Sequence, residues 1–393
     1  MEYLKINHCG PLKNIELSEI RKFNVFIGES GSGKSTIMKV LAMMRWIYKM
    51  SCIRTYLNSS GIEKSPFRLG LERILSKNGL NSFVTKKTYI LYINDSFEIQ
   101  IKDRKIRFTK KNVPKEELTI QKISYISDKR VMIPDLASGN VTLRHNMFYL
   151  DETYLNFQKA VDNLSISEMG YLGVKMTVKK SSNASRRVYV SSLGVNSDFY
   201  DLPLTSASSG IQSSVALHFI IQYFSQSFKI VEALNSTIVK YLADSDNLSK
   251  FKPSIDIGSF PQKKISIHLE EPELSLFPSN QWGLMRYLIR QCLNSKNTEM
   301  DLTMATHSPY ILTALNVMTL AYRANLLNSN RLKEIKEFIP LLNPKDLNAW
   351  EVKDGMVKPL LDPEIHLIDG TYLDLTSDVY ENLIGQLNDI IYE

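Results

Sequence analysis

The stretch Gly28-Glu29-Ser30-Gly31-Ser32-Gly33-Lys34-Ser35-Thr36 constrains this chain more than any other, because it fits the phosphate-loop pattern G-x-x-x-x-G-K-[ST]. It follows an apolar run, Phe23–Ile27, that reads as a strand. It precedes apolar residues at helical spacing (Ile37, Val40, Leu41, Met44) reaching to about Met50. A strand, a glycine turn and a helix in that order place backbone N–H groups around a phosphate and aim a helix N-terminus at it. Lys34 is then expected to neutralise the β- and γ-phosphates, and Ser35 to ligate Mg²⁺. A nucleotide ligand is the first expectation.

Three further segments carry chemistry. Ile265–Leu269 reads as a buried strand that delivers two adjacent carboxylates, Glu270 and Glu271, at its end. By position Glu270 takes the metal role and Glu271 the general-base role, while Glu273 reads as a loop residue. Leu302–Thr306 is a second strand, and it ends in His307-Ser308-Pro309, where proline opens a helix. His307 lies 36 residues beyond Glu271 and is expected to reach the γ-phosphate and the attacking water. Ser206-Ala207-Ser208-Ser209-Gly210-Ile211-Gln212-Ser213 opens an apolar helix, and reads either as an anion site or as a plain serine cap.

Around these motifs the chain alternates strands and helices. Tyr3–Asn7 and Ile15–Leu17 read as strands, and Tyr89–Ile93, Phe97–Ile101 and Lys105–Phe108 as an antiparallel meander turned at Asn94-Asp95 and Asp103-Arg104. Ile120–Ile126 is another strand. Helical spacing is expected around Phe67–Leu75, over 151–164, from Gly210 to about Tyr241, over Gln281–Leu293, and near Asp378–Ile391. A hairpin pairs Val174–Val178 with Arg187–Val190 through the turn Ser181–Ser185, a second turns at Asp354-Gly355, and 243–262 reads as an exposed loop. The expected fold class is therefore α/β: a phosphate-loop nucleoside triphosphatase with a mixed sheet core, an antiparallel β subdomain and a helical/β insertion.

No apolar run approaches the roughly 18 residues of a membrane span. Three scattered cysteines (Cys9, Cys52, Cys292) lack metal-ligand spacing, and no signal-like segment opens the chain, so a cytoplasmic protein without membrane partners is expected. The net charge of +7 is unevenly distributed: Arg45 to Arg130 holds 19 basic and 8 acidic residues, and the remainder is net acidic. Its dense part is Lys102, Arg104, Lys105, Arg107, Lys110, Lys111 and Lys115, within 102–115. That run reads either as a solvated face of a strand pair or as a nucleic-acid footprint.

The four motifs, in this order, resemble an ABC-type ATPase head, specifically the branch containing RecF, SMC heads and the OLD-family ATPases. Glu-Glu-Pro-Glu (270–273) followed by Leu-Phe-Pro (276–278), and Thr-His-Ser-Pro-Tyr-Ile-Leu (306–312), are recurrent wordings there. The chain looks most like the stand-alone ATPases of bacterial anti-phage defence (Septu, PARIS and retron-associated systems). The resemblance spans residues 1–45 and about 200–315 well, and 85–130 loosely. It implies that Ser209, Gly210 and Gln212 contact the γ-phosphate held by a second subunit, so that two heads sandwich two ATPs. It places Glu273, Leu274 and Ser275 in a loop crossing that interface, gives His307 a switch role, and puts Arg130 in a Tyr-Ile-x-x-x-Arg segment where it either senses nucleotide or is a surface arginine. Departures are Glu270 where many relatives carry Asp, Ile211 in place of a second signature glycine, no clear adenine-stacking aromatic, no heptad arms, and no nuclease-type acidic pairs after His307.

The resemblance implies ATP and Mg²⁺ as ligands, with an ATPase lobe at 1–130, an insertion or lid at 131–200, a second ATPase lobe at 201–330 and a partner-docking extension at 331–393. The expected function is an ATP-hydrolysing switch, paired or in a higher even-numbered assembly, that controls a separate nuclease or toxin in anti-phage defence. The alternative is a RecF/SMC-like DNA-repair ATPase using 102–115 on nucleic acid; a transporter ATPase fits least.

Overall fold

The computed structural model describes residues 1–62, 69–139, 141, 148–180, 186–194, 200–245, 247–253, 256–295, 298–335 and 337–369. The chain begins with three strands, β1 (Glu2–Cys9), β2 (Leu12–Leu17) and β3 (Phe23–Ile27), then a long helix α1 (Lys34–Ser59) and a short one, α2 (Leu71–Lys77). The meander β4 (Val84–Asn94), β5 (Phe97–Lys102) and β6 (Lys105–Phe108) leads into β7 (Thr119–Ile126). Helices α3 (Ile133–Ser138) and α4 (Phe148–Asn163) precede a small sheet of β8 (Ile166–Met169), β9 (Val174–Lys180), β10 (Arg186–Ser192) and β11 (Asp201–Pro203). After α5 (Ser209–Gln226) and α6 (Ile230–Asp244) come β12 (Gln262–Glu270), α7 (Pro278–Leu293), β13 (Glu299–Thr306) and α8 (Pro309–Lys333). The hairpin β14 (Leu347–Lys353) and β15 (Met356–Pro359) completes the described elements.

Eleven strands form one mixed sheet in the order β6-β5-β4-β1-β2-β15-β14-β3-β13-β12-β7, and β8–β11 form a separate four-stranded antiparallel sheet. The two halves of the large sheet differ as their sequences differ. All five residues of β3 are buried, and so are the last six of β12 and the last seven of β13. Such continuously buried strands suit a parallel sheet covered on both faces. In β1, β4 and β5 buried residues alternate with more exposed ones, the pattern of an antiparallel sheet with one open face.

Parallel register then sets the functional edge. Glu270 pairs with Ala305, Thr306 with Ile27, Ile27 with Glu351, and Leu269 with Ile126. Strands β3, β7, β12 and β13 therefore all release their chains at one edge, where parallel α/β sheets bind ligands. The described part of the 331–393 segment enters this sheet, with β14 beside β3.

Several expectations shift. The single helix from Gly210 is two, α5 and α6, because Phe228 folds back edge-on to Phe224 and Tyr223 and its N–H bonds the Tyr223 carbonyl at 2.9 Å. The 243–262 loop is not wholly exposed: Ile257 and Phe260 are buried, and Phe251 and Phe260 meet the Tyr56 ring edge-on. The helix expected around 67–75 runs over Leu71–Lys77, with 63–68 outside the described residues, as are the Ser181–Ser185 turn and the Asp378–Ile391 helix.

One buried charge network ties the halves together. The Arg45 guanidinium, on α1, is fully buried and pairs with Glu2 of β1 (2.7 and 2.8 Å) and Asp301 of β13 (2.9 Å). Asp301 also accepts from the Ser266 hydroxyl at 2.8 Å and pairs with Lys264 at 3.0 Å, and Tyr92 donates to Glu2 at 2.7 Å. Burial opposes ionisation of Glu2, but Arg45 outweighs it and holds the carboxyl at about 2.

Candidate functional site

The turn after β3 is shaped by its glycines. Gly28 has φ 152°, and a Cβ there would stand 2.3 Å from the Val352 carbonyl of β14. Gly33 caps α1 in the left-handed region, where a Cβ would strike Leu12. No acidic residue occupies the first turn of α1, which leaves its positive end uncompensated. Lys34 is 5% exposed, and its ammonium folds back to donate to the carbonyls of Gly28 (2.7 Å) and Glu29 (2.8 Å). Burial lowers its pKa, while Glu271 and Glu273 act against that shift. The Ser32 hydroxyl is buried with no hydrogen-bond partner among the described residues.

Across the edge, Glu270 is buried, and its carboxylate accepts from the Tyr125 hydroxyl at 2.7 Å and from the Asp128 N–H at 3.4 Å. Glu271 leaves the sheet at φ 43°, a strained conformation for a residue with a Cβ, and its N–H bonds the Ala305 carbonyl at 2.8 Å. Its carboxylate lies 3.7 Å from His307 Nε2. Burial raises the Glu271 pKa, with Glu273 and Asp128 adding to the rise and His307 and Arg130 opposing it. The His307 N–H donates to Glu273 at 2.6 Å.

These groups face one cavity of about 330 Å³, lined by Ser30, Gly31, Gly33, Lys34, Ser35 and Thr36 on one side and by Glu270, Glu271 and His307 on the other. Half-buried Phe83 and exposed Pro11 also line it, together with Asp128 and Ala305. An adjoining cavity of about 370 Å³ runs past Glu29, Ser30, Gly31 and Ser32 to Lys13, Lys353 and Asp354. The donor set fits an anion and a hard cation. A buried ammonium donates to the carbonyls of its own loop, the Ser32 hydroxyl in the wall of the adjoining cavity has no partner among the described residues, and Glu270 and Ser35 line the same cavity.

Four expected residues lie elsewhere. Arg130 is 1% exposed and turns away from the cavity: it donates to the backbone carbonyls of Glu270 (2.7 Å) and Glu271 (2.6 Å), holding the ends of the two acidic residues in place. It is therefore no surface arginine; burial pushes its pKa down to about 10, so it stays charged near neutrality. Ser209, Gly210 and Gln212 line neither cavity. Gln212 donates to the carbonyls of Thr205 and Ala207, closing the turn before α5. Gly210 packs so tightly that a Cβ would stand 2.6 Å from the Ser275 carbonyl, and the Ser213 hydroxyl bonds Leu274 at 3.1 Å.

Sequence reasoning missed Tyr125 and Asp128, whose signal was their place at the end of a buried strand. Pro11 and Phe83 carried none, because the Gly10 N–H bond to the Phe83 carbonyl joins segments more than seventy residues apart.

No family model matches the chain, and no curated protein matches it. Among solved structures it is similar to an SMC head bound to the C-terminal winged-helix domain of ScpA, at 10% identity over 92% of this chain and 97% of that one, with a TM-score of 0.38. It is similar to the SMC head domain from Thermotoga maritima at 12% identity, over 91% and 97% of the two chains, with a TM-score of 0.38. It is also similar to the CbiO1 cassette of an ABC transporter complex from Clostridium perfringens at 13% identity, over 99% and 98%, with a TM-score of 0.29.

Proposed function

We propose that the chain binds and hydrolyses ATP at the edge where β3, β12 and β13 end. The observation that carries this reading is the convergence of Lys34, Ser35, Glu270, Glu271 and His307 on one cavity. The loop N–H groups and Lys34 bind the β- and γ-phosphates once the ammonium exchanges its two carbonyls for phosphate oxygens. Ser35 and Glu270 hold Mg²⁺, which, when bound, neutralises charge developing on the transferred phosphoryl group. Glu271 takes the proton of the attacking water; its raised pKa brings its basicity closer to neutral pH, as a general base needs. His307 orients the same water, and the nucleoside extends into the adjoining cavity beside Lys13 and Asp354.

The serine-glycine start of α5 lines no part of this chain's own cavity; in this reading a second copy supplies it, and two chains enclose two nucleotides head to tail. In this reading Arg130 senses nucleotide only indirectly, through the Glu270 and Glu271 backbone. The ATP-linked pair acts as a switch on a separate effector, a nuclease or toxin of anti-phage defence, docked through the 131–200 and 331–393 segments. The same site would serve a RecF-like repair ATPase, but only a nucleic-acid surface near the dimer would favour that, and the 102–115 run has a structural role of its own at the sheet edge.

The test is Glu271→Gln. It should retain ATP, lose hydrolysis by about 10²–10⁴-fold and accumulate the dimer by light scattering. Hydrolysis at the wild-type rate would assign the base elsewhere, and a protein monomeric at saturating ATP would remove the paired-head reading.

A further inference from the structure

A cavity of about 640 Å³ has no part in the nucleotide site. It lies between the later turns of α1, the start of β7, and helices α2, α4, α5 and α6. Lys49 in its wall is fifteen residues beyond Lys34 on the same helix, which sets the two ammonium-bearing turns about 22 Å apart. Six cations line it: Lys49, Arg73, Lys77, Lys122, Lys159 and Lys240. Among the described residues no carboxylate does.

Two features separate this from a solvated basic face. Lys49 is half-buried, with no carboxylate at ion-pair distance among the described residues. Burial, with Lys122 adding to it, lowers its pKa to about 8. Crowding cations around one hollow, even with Lys122 paired to Glu152, costs stability that an anionic occupant would return. The walls between them are aromatic, with Trp46, Tyr223, Phe224, Phe228 and Tyr241. The Lys122 ammonium already lies 5.7 Å over the Phe224 ring, and Glu152 neutralises it from outside the cavity at 3.0 Å.

We infer that this cavity is a second binding site, for a ligand carrying both phosphate and an aromatic base. A volume of 640 Å³ falls in the range of about 300–1,000 Å³ that holds small ligands. A cationic rim over aromatic walls is the arrangement that binds phosphodiester backbone while bases stack. The exposed Arg73, Lys77, Lys159 and Lys240 take the phosphates at the mouth, Lys49 takes the deepest one, and Trp46 or Tyr241 stacks on the base. The ligand is either a free nucleotide or the end of a single strand, and the cavity chemistry is common to both.

The test uses the full chain with Lys34→Ala, so that the phosphate loop is silent. Short 5′-phosphorylated oligothymidylate and thymidine monophosphate are titrated separately, reading quenching of Trp46 fluorescence, with Trp46→Phe as the control for the signal. Binding of the oligonucleotide alone upholds the site and assigns it to a single strand; binding of the monophosphate upholds it and assigns a free nucleotide. Lys49→Glu should weaken the binding probe about tenfold or more, and Lys240→Glu, on an exposed position that cannot unsettle the core, should do likewise. The inference is overturned if neither probe binds, if Lys240→Glu leaves affinity unchanged, or if polyglutamate binds as tightly, since that would show an acidic-protein surface with no use for the aromatic walls.

Discussion

Helix α1 carries two buried cations, and they are treated in opposite ways. Arg45 is met by two carboxylates, a histidine nitrogen at 3.4 Å and full enclosure between sheet halves. Lys34, at the start of the same helix, is met only by carbonyls of its own turn, with the nearest carboxylates across a cavity. A satisfied cation fixes structure. A cation held by exchangeable partners is free to change them, and that is what binding requires.

The contrast is tested most strongly by removing each cation in turn. Arg45→Met should cost about 3–5 kcal/mol, because buried Glu2 loses its guanidinium partner and keeps only the Tyr92 hydroxyl, and Asp301 is left with Lys264 and Ser266. Lys34→Ala should cost about 1 kcal/mol or less, since the carbonyls it leaves sit at an accessible loop, yet should abolish ATP binding. Denaturant midpoints and nucleotide titration of both variants check this. Equal destabilisation by the two would erase the distinction, and unchanged ATP affinity of Lys34→Ala would refute the phosphate-cradle assignment.

Gly210 gives the next largest effect. A Gly210→Val side chain meets the Ser275 carbonyl at 2.6 Å, inside contact distance, and should cost about 1–3 kcal/mol by forcing α5 from the 273–276 loop. ATP binding by the monomer should survive, because neither segment lines the cavity, while ATP-dependent dimerisation in sedimentation should weaken. A dimer indifferent to this change would move the interface elsewhere.

Acid should weaken the Arg45 network before it touches Lys34. Glu2 titrates at about 2 when folded, below its ordinary 4.5, so the unfolded chain binds the proton first. The resulting stability is present above pH 4.5 and is lost as pH falls toward 2. Glu2→Gln should be less stable at neutral pH and should lose less than the wild type over that window. Parallel pH profiles of the two would show that Glu2 carries none of the acid sensitivity.

How far the sequence could be read follows the range of each interaction. The Gly28–Thr36 turn, the end of β12 and His307 were legible because local spacing alone dictates their geometry. The meander was legible because alternation of period two survives in Tyr89–Phe108. Arg45 was not, since nothing in a helix reveals that one of its cations meets Glu2 and Asp301, 43 residues before and 256 after it. Arg130 was singled out by its segment, but its turn onto the Glu270 and Glu271 carbonyls depends on the pairing of β7 with β12. The insertion of β14 beside β3 was equally hidden, because a parallel pairing across more than three hundred residues leaves no mark on either strand.

The 102–115 run supplies the smallest expected effect and a third way to hold a cation. Strand β6 is the free edge of the large sheet, and an edge strand with exposed lysines and arginines resists pairing with another chain. Arg104 is spent on Glu72 at 3.0 Å and on the Asn81 side chain at 2.9 Å, Arg107 on Asp103 at 3.0 Å, and Lys110 on Ser96 at 2.6 Å. These are exposed or half-exposed contacts, and solvent screening leaves them little weight in stability. Reversing Lys105, Arg107, Lys110 and Lys111 to Glu should therefore leave stability within about 1 kcal/mol and ATP hydrolysis intact. Edge protection depends on charge of either sign, so the reversed protein should stay soluble, whereas Lys105→Val with Arg107→Val should increase concentration-dependent association. A nucleic-acid footprint predicts the opposite pattern: the reversal abolishes salt-dependent binding of duplex DNA, and the valine pair only halves it or so. The two substitutions thus separate a cation that guards an edge from one that waits for phosphate, which is the distinction Arg45 and Lys34 draw inside the fold.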